Sequence, residues 1–162
     1  MSVRIVVIGV GNLLAGDDGL GPRAIDRLQT LVPAGVECID AATDLGSVLP
    51  EVASASRLII VDAIRAGGQP GTIYRMTLDE LLDRSRDRPM QLSMHDMGLA
   101  EAVGIARMTG VRLPPTIILG MEPTRVGLGT ELSPVVQGRL DDLVARVIEE
   151  IGRPPKSTGD RP

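Results

Sequence analysis

Four side chains in this sequence have types and spacing suited to chemistry: Asp17, Asp18, Asp62 and His95. Asp17 and Asp18 sit among the glycines of Gly16-Asp17-Asp18-Gly19-Leu20-Gly21, an unusual way to cap a single helix. Asp62 follows the apolar run Leu58-Ile59-Ile60-Val61, and His95 is the one histidine of the chain. Two carboxylates and one imidazole form a three-ligand set for a borderline divalent metal such as nickel or zinc, with coordination positions left open. The same groups could serve as general acid and base, because like charges held close drive their pKa values apart. Each also has an ordinary structural use. Asp17 and Asp18 can be turn or N-cap residues, Asp62 can cap the turn that follows it, and His95 can be a surface helix residue.

Other chemistries find less support. Cys38 is the sole cysteine, so there is no disulfide framework and no thiolate metal cage, and its place in an apolar run suits a small buried hydrophobe. No serine stands on a G-x-S-x-G elbow. Aspartic-protease chemistry by Asp18 and Asp62 stays open, although neither has an Asp-Thr-Gly or Asp-Ser-Gly flank. Gly9-Val10-Gly11-Asn12-Leu13-Leu14-Ala15 satisfies the dinucleotide fingerprint, with Asp40 as a ribose-binding acid. Against that reading, Gly16-Asp17-Asp18-Gly19 interrupts the helix the motif requires and places two negative charges where a pyrophosphate would lie.

These residues need elements to bring them together. Ile5–Ile8, Val36–Ile39, Leu58–Val61 and Ile117–Leu119 read as buried strands. Thr72 to Met76 alternates polar and apolar residues, as a half-exposed or edge strand does. Pro22 is expected to open a helix with Ile25, Leu28 and Leu31 on its apolar face. A short helix is expected over Leu45 to Val52, opened by Thr43 or Asp44 and limited by Pro50. Thr77 and Glu80 form a capping box for a short helix over Leu78, Leu81 and Leu82. A second box, Ser93-Met94-His95-Asp96, opens a longer helix that closes at Gly110. Ser133-Pro134 opens the last, with Val136, Leu140, Leu143, Val147 and Ile151 on one face. Strands alternating with helices make a single three-layer α/β/α domain over residues 1–151, with a mainly parallel sheet and a disordered tail at 152–162.

In such a sheet ligands bind beyond the carboxyl ends of the strands, which selects Gly11–Gly21, Asp62–Gly68 and Gly120–Arg125. The helix carrying His95 must run back from that edge so that Ile117 can start a parallel strand, placing His95 in its first turn at the same edge. A helix N-terminus disfavours positive charge, so the imidazole should stay neutral and able to donate its lone pair. Met90, Met94, Met97 and Met121 flank this region, either as core filler or as a soft groove for a peptide. Arg84, Arg86 and Arg88 read as a solvated loop, with docking of an acidic partner as the sharper alternative. Tyr74 is expected to pack on the sheet surface.

Composition narrows the partners. The chain has 162 residues, of which 43% are hydrophobic and 23% charged, the balance of a folded soluble domain. Tyr74 is its only aromatic residue, which excludes the stacking platforms used for single-stranded nucleic acid. A net charge of −4 argues in the same direction. The excess acid lies in residues 1–81, which hold 6 basic and 10 acidic side chains. There is no signal-peptide pattern and no apolar run long enough to span a bilayer, so no membrane partner and a cytoplasmic monomer are expected.

Taken in order, Gly9-Val10-Gly11-Asn12-Leu13-Leu14-Ala15-Gly16-Asp17-Asp18-Gly19-Leu20-Gly21, Val61-Asp62-Ala63, Ser93-Met94-His95-Asp96-Met97-Gly98-Leu99, Gly120-Met121-Glu122-Pro123 and Leu132-Ser133-Pro134 resemble the hydrogenase maturation proteases. The resemblance covers about residues 4–150. These endopeptidases remove a C-terminal extension from the large subunit of nickel–iron hydrogenases. The resemblance implies a five-stranded mixed sheet between helices, order 2-1-3-5-4, with the fourth strand antiparallel. It implies that Asp18, Asp62 and His95 contact metal and carry the activity. Some members have glutamate at the first of these positions, and aspartate is shorter by one methylene. The metal implied is nickel supplied by the substrate, and another divalent ion can occupy the same site. The partner implied is a hydrogenase large-subunit precursor, cut on the C-terminal side of its metal-bound cysteine motif. The attacking group expected is a water activated by metal or carboxylate. Asn12, Asp17, Met94, Met97 and Glu122 are the expected substrate groove. The competing class is a non-catalytic Rossmann-like nucleotide- or metal-binding module on the same scaffold.

Overall fold

A computed structural model describes residues 2–87, 94–124 and 127–154, and the side chains at 87 and 94–97 lie outside that description. Five strands make the sheet, β1 (Ile5–Val10), β2 (Val36–Ala42), β3 (Arg57–Ala63), β4 (Ile73–Thr77) and β5 (Thr116–Met121), and β1, β3 and β5 are built on runs of β-branched residues. Their order is β2-β1-β3-β5-β4, parallel throughout except for β4, which pairs antiparallel with β5 at one edge. The alternating pattern at 72–76 thus belongs to an edge strand, with Arg75 and Thr77 exposed and Met76 buried. Every residue of β3 is buried, as befits the centre of the sheet.

Helices α1 (Leu20–Leu28), α2 (Leu45–Val52), α3 (Leu78–Asp87), α4 (Met94–Met108) and α5 (Pro134–Gly152) cover both faces. Strand alternation sorts the core into two halves. Val6, Ile8, Leu58, Ile60 and Ile118 pack under α2, α3 and α4. Val7, Ile59, Val61, Leu119 and Met121 pack under α1 and α5. Three layers result, as expected from the sequence.

Local signals set most boundaries. The Thr77–Glu80 capping box closes reciprocally: Thr77 N donates to Glu80 Oε2 at 2.8 Å, and Glu80 N donates to Thr77 Oγ1 at 3.2 Å. Asp44 caps α2 by accepting from Ser47 N. At the end of α4, Gly110 takes φ 84°, Val111 N donates to Ala106 O and Gly110 N donates to Arg107 O, the Schellman arrangement. The Ser93–Asp96 box lies outside the described residues.

Three expectations need adjustment. α1 begins at Leu20, so Pro22 occupies the third helical position, where its missing N–H is still one of the helix's unpaired donors. That helix stops at Leu28, leaving Leu31 exposed rather than on the apolar face. α3 runs to Asp87, which puts Arg84 and Arg86 in a helix rather than a loop, at the C-terminal turn where cations suit the dipole. Arg88 lies outside the described residues, as do residues 155–162 of the tail, whereas Gly152 still belongs to α5.

Candidate functional site

The parallel strands end level. Gly9 of β1 is abreast of Val61 of β3, which is abreast of Leu119 of β5. Asp62 is one residue further, at the carboxyl edge, opposite Gly120. By strand alternation its side chain lies in line with Leu58 and Ile60, on the face that α4 covers. It is fully buried.

Asp18 reaches the same edge by a chain reversal. After β1 the backbone loops out through Asn12 to Gly16 and returns as a 3-10 turn, Asp17–Gly19, that packs against β3. Gly11 makes the return possible: it takes φ 146°, and a Cβ there would lie 1.9 Å from the Asp18 carbonyl oxygen. The Asp18 carboxylate, fully buried, accepts from Asn12 N at 2.9 Å. Asn12 in turn folds the loop on itself, its Oδ1 accepting from Leu14 N. Gly21 serves packing of a different kind, since a Cβ there would lie 2.2 Å from Val10 O and 2.7 Å from Val61 O. Gly9 and Gly11, which mimic a dinucleotide fingerprint, let α1 and the loop close onto the sheet: a Cβ on Gly9 would lie 2.5 Å from the Gly21 carbonyl oxygen of α1. The buried turn of Asp17 and Asp18 fills the N-terminal end of α1, where a pyrophosphate would have to sit.

α4 supplies the third element. Its far end, at Gly110 and Val111, lies beside Arg57 and Thr116 at the amino edge of the sheet. A helix of 15 residues spans about 22 Å, so its first turn, which carries His95, is directed to the carboxyl edge. The side chains of Met94, His95 and Met97 lie outside the described residues, as does all of Met90. Met121 is fully buried between Ala63 and Ile73, a core residue.

Two neighbouring carboxylates hold the loops around this edge. Asp17 is buried and joins the β1 loop to the β5–α5 loop: Oδ1 accepts from Ser133 N at 2.6 Å, and Oδ2 accepts from Thr124 N and Ser133 Oγ, each at 2.8 Å. Ser133 and Pro134 open α5 as expected, and the Ser133 hydroxyl, which makes no cap bond to the helix, goes to Asp17. A parallel bridge between Ala15 and Gly129 reinforces this seam. Glu122 does the same for the β3 and β4 loops, its Oε2 accepting from Ala66 N and Tyr74 Oη, each at 2.8 Å. Tyr74 Oη also accepts from Gly68 N. Burial, then the bond to Glu122, push the Tyr74 hydroxyl above its ordinary pKa, so it remains a proton donor. Asp17, Glu122 and Tyr74 thus frame the site, and the framing role of Tyr74 had no signal in the sequence. Cys38, half-buried in β2, has its thiol pushed up by burial, which lowers its reactivity. Asp40 accepts from Ala42 N at an irregularity in the β1–β2 pairing, a use that accounts for its place after the second strand.

The comparisons with known proteins agree with this architecture. The family model described as "HycI: Hydrogenase maturation protease" matches residues 22–150. The chain belongs to the hydrogenase maturation protease family. The hydrogenase expression/formation protein HupD of Rhodobacter capsulatus is 30% identical over 151 residues, covering 91% of this chain and 71% of that protein. Among solved structures, the hydrogenase maturating endopeptidase HybD from E. coli superposes with a TM-score of 0.78 at 29% identity, covering 93% of this chain and 94% of that one. The solution structure of an endopeptidase from Escherichia coli gives a TM-score of 0.79 at 28% identity, with the same coverage. Asp62 and His95 fall within the span matched by the maturation protease model, and Asp18 precedes it.

Asp18 and Asp62 are buried at this edge and α4, whose first turn carries His95, covers the same face; among the described residues no group of three or more His, Cys, Asp or Glu could hold a metal ion, and the side chain of His95 lies outside them. No helix among the described residues is long and apolar enough to cross a membrane.

Proposed function

We propose that this chain is the endopeptidase that removes the C-terminal extension of a nickel-loaded hydrogenase large subunit. Asp18, Asp62 and His95 contribute two oxygen ligands and one nitrogen ligand to the nickel that the substrate already carries. The reading is supported above all by two fully buried carboxylates, Asp18 and Asp62, delivered to one sheet edge by separate strand exits. Burying carboxylates is costly, and coordination to a metal ion is one way a protein offsets that cost.

Substrate nickel, gripped from both sides, fixes the scissile peptide at the carboxyl edge. A carboxylate of the site takes a proton from a water, whose oxygen attacks the carbonyl carbon. The carbon–nitrogen bond then breaks, and the leaving amine takes up the proton. Restricting ligands to substrates that bring their own nickel makes metal insertion the checkpoint for cleavage. The test is incubation of the purified chain with nickel-loaded and nickel-free precursor, following loss of the C-terminal tail by mass spectrometry. Cleavage of the loaded form alone is expected, and it should disappear in Asp18→Asn, Asp62→Asn and His95→Ala. Equal cleavage of both forms, or wild-type rates in all three variants, would defeat the proposal.

A further inference from the structure

The opposite edge of the sheet carries a second feature. Where β3 and β5 begin and β4 ends, a groove of about 1170 Å³ opens, about 17 Å from Asp62 along β3. Five arginines line it, Arg57, Arg75, Arg107, Arg112 and Arg153, against two acids, Asp79 and Glu150. In a chain of net charge −4 this is a marked local reversal.

Glu150, itself buried, is the anion on which three of those arginines converge. Arg75 donates through Nε at 2.8 Å and Nη2 at 3.0 Å, Arg153 through Nη1 at 3.3 Å, and Arg57 through Nη2. Arg153 also pairs with Glu149 through Nη2 at 2.7 Å, so three guanidinium groups face two carboxylates and one positive charge is left uncompensated at the floor of the groove. Each of these guanidinium groups has donors beyond the two it uses among the described residues. Elsewhere in the lining, Arg107 meets Asp79 only at 3.6 Å, and Arg112 is exposed with no partner among the described residues.

We infer that this groove binds a small polyanion, phosphate or polycarboxylate. The guanidinium fork matches both oxyanions in bidentate geometry, and cationic clefts concentrate anions from solution. The volume is somewhat above that of ordinary small-ligand sites, room enough for a small polyanion and its water. Val111, Leu113 and Ile117 add apolar walls that accommodate the ligand's carbon body. The chain's own residues 155–162, which follow Pro154 on the lining, bring Lys156, Asp160 and Arg161 and so add positive rather than negative charge. They are not a charge match for the groove. The carboxylate-rich edge around Asp18 and Asp62 has the wrong sign for such a ligand, so the two sites do not compete.

The test is calorimetric, on the full chain after EDTA treatment. Inorganic pyrophosphate and citrate are each compared with sodium chloride at matched ionic strength. At least one should raise the unfolding midpoint beyond the salt control and bind by titration, and the tighter of the two distinguishes a phosphate from a carboxylate ligand. Arg107→Ala/Arg112→Ala should weaken that binding at least tenfold. Arg112→Glu, a single change at an exposed position, should do likewise and guards against misfolding of the double variant. The proposal is overturned if neither anion exceeds the salt control. It is equally overturned if the variants bind as tightly as the wild type, or if a glutamate-rich peptide binds where both small anions fail.

Discussion

At the scale of single residues, three neighbouring aspartates separate into different tasks. Asp17 is an acceptor for Thr124 N, Ser133 N and Ser133 Oγ. Asp17→Ala leaves those groups without their acceptor at a buried seam, and a loss of about 2–4 kcal/mol is expected in denaturant unfolding. Asp62→Asn keeps side-chain volume and removes charge, so it should unfold as cooperatively as the wild type while losing processing of nickel-loaded precursor. If Asp17→Ala were as stable as the wild type, the clip assigned to it would be wrong. The sequence exposed these acids but not their division of labour. Thr124 and Ser133 are more than a hundred residues from Asp17, and a contact of that range leaves no spacing pattern to read. The same holds for Tyr74, whose partner Glu122 lies on another strand exit.

At the scale of elements, the loop after β1 depends on a backbone contact. Gly11→Ala would set a Cβ 1.9 Å from Asp18 O, in a conformation that L-residues rarely adopt. A destabilisation of about 2 kcal/mol or more is expected, together with a loss of processing exceeding what the stability change explains, because Asp18 is displaced. Unchanged thermal midpoint and rate would contradict this account of the loop. Elements with local signals were legible from sequence: the buried runs of β1, β3 and β5, the Thr77–Glu80 box and the glycine stop of α4 all stand where they were expected. The start of α1 was not. Pro22 is compatible with any position in a first turn, and the 3-10 turn before it is set by tertiary packing of Asp17 and Asp18. The length of α3 was missed for a related reason, since a charged segment has no apolar period to mark its end.

For the molecule as a whole, the two edges of the sheet have opposite electrostatic character. The amino edge is tied by Glu150, whose carboxyl burial pushes up, while hydrogen bonds from Arg75 and the charges of Arg75, Arg57 and Arg153 outweigh that effect and hold it below the ordinary value. A carboxyl lowered in the folded state contributes stability above the unfolded pKa of 4.5 and loses it as pH falls through the folded value. Glu150→Gln should therefore lower stability near neutral pH by about 3 kcal/mol, and its stability should fall less steeply than that of the wild type below pH 4.5. Parallel acid-limb slopes for the two proteins would remove Glu150 from the linkage.

At the carboxyl edge, the proposed function requires Asp18, Asp62 and His95 to share one ion with the substrate. A crystal structure of the inactive Asp62→Asn chain would lack a ligand, so the direct measurement uses wild-type chain trapped with nickel-loaded precursor whose cleavage site is altered to resist hydrolysis. Carboxylate oxygens of Asp18 and Asp62 and an imidazole nitrogen of His95 are expected at about 2.0–2.2 Å from nickel. Nickel held by precursor groups alone, with all three side chains beyond coordinating distance, would contradict the account.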